Sequence, residues 1–98
     1  MARLRSLRQR AWEKCGGICY LCGLPMIPNA QPGDPLAYTL EHIIPKALGG
    51  PSDTENVSGA HQYCNNFKGD CLVEDLPVGY RPALRWKIKN LLAHMKVT

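Results

Sequence analysis

The sequence predicts a small α+β domain, with two short strands and a short helix at its centre and a basic helix at each end. Three observations predict it. Leu4, Leu7, Ala11 and Cys15 recur at helical spacing near the start, as do Leu84, Ile88, Leu91 and Met95 near the end. "LAYTLEHII" and "NVSGAH" read as strands between them. Two equally spaced pairs, Cys19-x-x-Cys22 and His61-x-x-Cys64, flank the strands.

Arginines separate the apolar positions of the first helix, expected over about residues 3–15, and Gly16-Gly17 stops it. "ICYLCG" then forms a tight knuckle. "LPMIPNAQPGDP" carries four prolines in twelve residues and reads as an irregular loop. The strand "LAYTLEHII" and the loop "PKALGGPSDTE" follow, and then the strand "NVSGAH". "QYCNNFKGD" fits two helical turns ended by Gly69. Pro82 opens the last helix, expected over about 82–95. A chain of 98 residues suits one domain, 1–98, and not two. Seventeen Gly and Pro residues limit its regular structure, and so small a core needs a staple.

The paired ligands supply that staple. A two-residue spacing lets two side chains of each pair converge on one tetrahedral ion, so Cys19, Cys22, His61 and Cys64 are expected to hold a structural Zn²⁺. Such binding contributes folding free energy directly. Two disulfides are an alternative, without a secretion signal to support them. Cys15 could replace Cys19 but lies on the helix stripe. Cys71 is expected to be a free, partly buried thiol.

Charge is segregated. Residues 1–14 carry net +4, 81–98 net +5 and 15–80 net −5. Basic ends around an acidic centre suggest a polyanion gripped from outside and a centre that holds cations. No run is long enough to span a membrane and no secretory h-region follows the Arg-rich start, so a cytoplasmic protein is expected.

Glu41-His42 sets a carboxylate beside an imidazole. Neighbouring strand residues face opposite ways, so both can serve one site only where the strand ends or bulges. Asn56 follows after thirteen residues, and Asn65 after eight more, directly behind Cys64. The segments "GGICYLCG", "EHIIPKALGG", "TENV" and "CNNFKGD", in this order, resemble the HNH endonuclease family over about residues 12–70.

The resemblance implies a ββα-metal fold around one catalytic divalent cation. It implies that His42 is the general base, that Glu41 and Asn65 are metal ligands, and that Asn56 positions His42 through the backbone. Asn65 stands where the family name has its last His, and His61 where a Cys is usual. Two oxygen donors favour Mg²⁺ or Mn²⁺ at the catalytic position. Lys68, one turn beyond Asn65, faces the same side and could meet a phosphate. Asp70 reads as structural, and His94 as exposed and without a role.

The expected function is metal-dependent DNA endonuclease, with double-stranded DNA bound through Lys68, Arg3, Arg5, Arg8, Arg10, Arg85 and Lys87. Trp12 and Trp86 read as helix anchors against the zinc knuckle rather than base-stacking platforms. A monomer or weak dimer in a bacterial or phage-infected cytosol is expected, and family and size imply a phage setting, beside a terminase subunit in some members. The alternative is a non-catalytic, zinc-stabilised nucleic-acid-binding module, which would not need His42. A colicin-like toxin is a third reading, weakened by the acidic centre.

Overall fold

The computed structural model describes residues 6–27 and 29–95. Arg3, Arg5 and Leu4 lie outside them. Among the described residues the order is helix α1 (Leu7–Cys15), strand β1 (Tyr38–His42), strand β2 (Val57–His61), helix α2 (Gln62–Lys68) and helix α3 (Tyr80–Met95), with short 3₁₀ turns between. The α+β expectation holds.

Helix α1 begins at Leu7 because Ser6 is extended and forms a capping box with Gln9: each side chain bonds the other's backbone N–H. It ends where Gly16 turns left-handed. Ala11 is buried, and Trp12 meets the Tyr38 ring edge to face at 5.0 Å. Trp12 thus anchors the helix on Tyr38 of β1, not on the knuckle as expected. The Lys14 ammonium bonds the carbonyls of Thr54, Glu55 and Val57 at 3.0–3.3 Å, tying α1 to the turn that carries Asn56.

Strands β1 and β2 are antiparallel, pairing Tyr38 with His61 and His42 with Val57 at the two ends. All five β2 residues are buried. Gly59 has no room for a side chain: a Cβ there would lie 2.8 Å from both Met26 and Tyr38. The Cys19–Cys22 knuckle joins this sheet through the bond from Tyr20 N–H to the Gly59 carbonyl.

Helix α2 follows β2 without a connecting loop. Its cap residue, His61, makes no side-chain cap bond. The backbone carbonyls of Pro35 and Ala37 accept instead from Tyr63 and Gln62, so the proline-rich loop finishes the helix start.

Helix α3 starts at Tyr80, two residues before the expected Pro82. A proline is tolerated there because first-turn N–H groups have no helical acceptor. Leu84 and Ile88 enter the core. That core is small and surrounds the Cys19, Cys22 and Cys64 sulfurs, with Leu21, Met26, Leu36 and Tyr38 packed around them. Trp86 does not anchor this helix: it is 68% exposed. Lying two positions past Leu84, it sits roughly 200° around the helix from the buried stripe.

Candidate functional site

The knuckle, the end of β2 and the first turn of α2 bring Cys19, Cys22, His61 and Cys64 together, with ligand atoms within 4.8 Å of one another and all four residues buried. Nδ1 of His61 lies 3.4 Å from Cys22 Sγ and 4.0 Å from Cys64 Sγ. Zinc–sulfur and zinc–nitrogen bonds of about 2.3 and 2.0 Å put tetrahedral ligands at roughly this separation. Nε2 of His61 donates to the Pro25 carbonyl at 2.9 Å, which fixes the ring and leaves Nδ1 for the metal. These residues can hold a structural metal ion, and the donor set fits zinc.

The cluster's own protons tell the same story. Hydrogen bonds from Cys22 and Cys64 push the Cys19 thiol well down, and the donor Cys64 is pushed up in return. Burial disfavours charge on His61, but the sulfurs of Cys19 and Cys22 override it and hold the imidazole up at about 9. A metal bound here would have to displace the protons on His61 and Cys64.

A second cluster lies at the end of β1. An open cleft of about 380 Å³ is lined by Glu41, His42, Lys46, Asn65 and Asp70, among others. Both members of the Glu41-His42 pair reach it because β1 stops at His42. Just beyond, the Ile43 N–H donates to the Asn56 backbone carbonyl at 2.8 Å. The Asn56 side chain is clamped between Ile44 and Pro51: it accepts from Ile44 N–H and donates to both carbonyls, at 2.9–3.0 Å. Asn56 thereby braces the loop that begins at His42. Gly50 is required there, since a Cβ would fall on the Ile44 carbonyl.

His42 is partly exposed, and its Nε2 lies 2.9 Å from the Ser52 hydroxyl. Burial, then the charges of Lys46 and Lys68, hold its pKa below the ordinary 6.5. Burial drives Glu41 the other way, up to about 7, with Lys68 pulling back only in part. Glu41 Oε2 is buried and has no hydrogen-bond partner; among the described residues only the Tyr20 hydroxyl shares that state. A buried oxygen so placed costs on the order of 1–3 kcal/mol. Glu41 and Asn65 line the cleft with oxygen donors, a set that fits a hard divalent cation.

Several expectations are corrected. Lys68 does not face a phosphate: its side chain is fully buried, with Nζ 3.8 Å from Glu41 Oε1 and 3.3 Å from the His42 carbonyl. Arg85 donates to the Cys22 carbonyl at 3.4 Å, and Arg81 to those of Tyr20 and Leu21 at 2.9 and 3.1 Å. Both guanidinium groups serve the knuckle, whose carbonyls have no strand partner. Arg8 stacks over the Tyr38 ring at 4.3 Å and donates to its carbonyl. Cys71 is exposed rather than partly buried. Arg10 is exposed, and Lys87 lies 5.8 Å from the Tyr63 ring centre. Sequence reasoning missed Lys46, Ser52 and Thr39. The first two lie in a loop without a pattern; Thr39 could have been found two residues before Glu41, on the same strand face.

A two-stranded antiparallel sheet and a short helix, with a Cys/His cluster that could hold zinc beside a Glu-His cleft, define a ββα-metal domain. The HNH endonuclease family model matches residues 19–77, well over half of the chain. The chain belongs to the HNH endonuclease family. Membership makes it a nuclease or nucleic-acid-binding domain. No match was found among curated proteins. Among the described residues, no helix is long and apolar enough to cross a membrane.

Proposed function

We propose that this protein is a metal-dependent DNA endonuclease that hydrolyses phosphodiester bonds in the cleft between β1 and α2. One observation carries the reading: Glu41, His42 and Asn65 line the same open cleft, and the carboxylate there has a buried oxygen without a partner. Glu41 and Asn65 would hold a divalent cation, Mg²⁺ or Mn²⁺ by their oxygen donors. When bound, the ion supplies Lewis acidity toward the phosphate and the leaving oxygen.

The protein's own groups do the rest. His42, its pKa depressed, is neutral near pH 7 and ready to accept a proton from attacking water. Nε2 lies against the Ser52 hydroxyl at 2.9 Å, and the tautomer that donates there leaves the Nδ1 lone pair to accept the proton. Asn56 keeps the loop beyond His42 in place. Lys46, exposed at the cleft, meets the phosphate in the role first expected of Lys68. Arg3, Arg5, Arg10 and Lys87 track the backbone of double-stranded DNA without reading sequence. Residues 1–98 act as one unit, a monomer or weak dimer, in the cytosol. A phage packaging setting beside a terminase subunit rests on family and size alone.

The test is supercoiled-plasmid cleavage by wild type and His42→Ala under EDTA, Mg²⁺, Mn²⁺ and Zn²⁺, with circular dichroism on both. Metal-dependent nicking by wild type alone is expected. A folded, DNA-binding wild type that never cuts would leave a non-catalytic zinc module.

A further inference from the structure

We infer that Thr39 is a positioning residue that sets the amide of Asn65 so that its oxygen, not its nitrogen, faces the cleft. The inference rests on the reading that Glu41 and Asn65 share a divalent cation.

A side-chain amide is nearly symmetric in shape and opposite in chemistry at its two ends. Only the oxygen can ligate a cation, so an asparagine ligand needs its amide orientation fixed. Asn65 lies on α2, a helix of two turns, where nothing in its own backbone fixes the amide. The partner is across the gap on β1. Thr39 Oγ1 donates its one proton to the Ala60 carbonyl at 2.7 Å. With that proton used, the oxygen can only accept. It accepts from Asn65 Nδ2 at 3.1 Å. The chain of bonds therefore has one direction, from Asn65 amide to Thr39 hydroxyl to Ala60 carbonyl. Reversing the amide would set two acceptors against each other. The amide oxygen is left on the other side, and Asn65 lines the cleft.

Threonine suits this task better than serine. Its β-branch restricts χ1 on a strand, so the hydroxyl stays over Ala60. Thr39 and Glu41 are two apart on β1 and face the same side, which places the amide's anchor beside the second oxygen donor. The anchor is also partly buried, so water competes weakly for the amide.

The experiment reads cation binding without DNA or turnover. Mn²⁺ is titrated into zinc-loaded protein and followed by electron paramagnetic resonance, for wild type, Thr39→Val, Thr39→Ser, Asn65→Ala and Thr39→Val/Asn65→Ala. Zinc content and circular dichroism check each fold. Valine keeps the shape and removes the hydroxyl, and should weaken Mn²⁺ by about 10-fold or more, the usual loss for a residue that orients a ligand. Thr39→Ser should recover most of it. The double variant should bind no worse than Asn65→Ala, because Thr39 acts only through the amide. Wild-type affinity in folded Thr39→Val would overturn the inference, as would a further loss in the double variant. Wild-type protein that binds no Mn²⁺ would overturn the cation reading and this inference together.

Discussion

The ammonium of Lys68 lies 3.8 Å from Glu41 Oε1, with both side chains withdrawn from water. It also donates to the His42 carbonyl, so one buried charge holds two consecutive residues of the cleft. Removing one member of a buried pair leaves the other uncompensated, at a typical cost of about 3–5 kcal/mol. Lys68→Met should lose stability on that scale in urea denaturation of the zinc-loaded protein. Lys68→Met/Glu41→Gln should recover much of it.

The pH dependence follows from Glu41. Its folded pKa, about 7, exceeds the ordinary 4.5, so the folded state holds a proton that the unfolded state releases. That contribution is fully present below 4.5 and is lost as pH rises through about 7. Zinc binding favours the opposite trend, so the measurement is a difference. The melting-temperature difference between wild type and Glu41→Gln should shift toward the variant as pH rises through about 7, and added Mn²⁺ should oppose that shift.

His42 titrates in the other sense. Burial, Lys46 and Lys68 lower its pKa, so its neutral form persists to lower pH than a free imidazole's. Nicking rates under single-turnover conditions should rise with pH, with the His42 midpoint below 6.5. Lys46→Met removes one of the lowering charges, so the acid limb should move to higher pH.

The two kinds of cysteine should separate cleanly. Chelation of the metal, or Cys64→Ala, removes the centre around which the core is built, so helical circular dichroism should collapse. Cys71 is exposed and far less constrained. Cys71→Ser should keep its zinc and unfold within about 0.5 kcal/mol of wild type.

Arg85 and Arg10 should separate stability from DNA affinity. Arg85→Met loses its bond to the Cys22 carbonyl, which should cost about 1 kcal/mol and leave the salt dependence of DNA binding unchanged. Arg10→Gln should do the reverse, lowering the slope of log affinity against log salt by about 1.

The four metal-type ligands were legible because their spacing alone fixes their geometry. The Glu41-His42 pair was legible because a strand that must show both residues has to end there. Lys68 was not. Its spacing gives the helix face but not the depth, and its depth depends on Glu41, which is distant in sequence. Arg85 was obscured for a related reason: a charged residue on a helix reads as a solvent group until the unpaired knuckle carbonyls beneath it are seen. Trp86 could have been placed correctly, since the helical period already puts it opposite Leu84 and Ile88. Its size favoured the anchor reading over its position.

Helix α2 is seven residues long, and His61 precedes it directly. Within that span Cys64 serves the metal centre, while its neighbour Asn65 and then Lys68 serve the cleft. Adding or deleting one residue inside it would turn everything beyond by about 100° and carry each group off its target. The stretch at 29–34, which supplies neither centre, has no such phase to keep. Length variation among proteins built this way should therefore collect in that loop and spare the short helix, like a gear whose teeth cannot be recut while its housing can be enlarged.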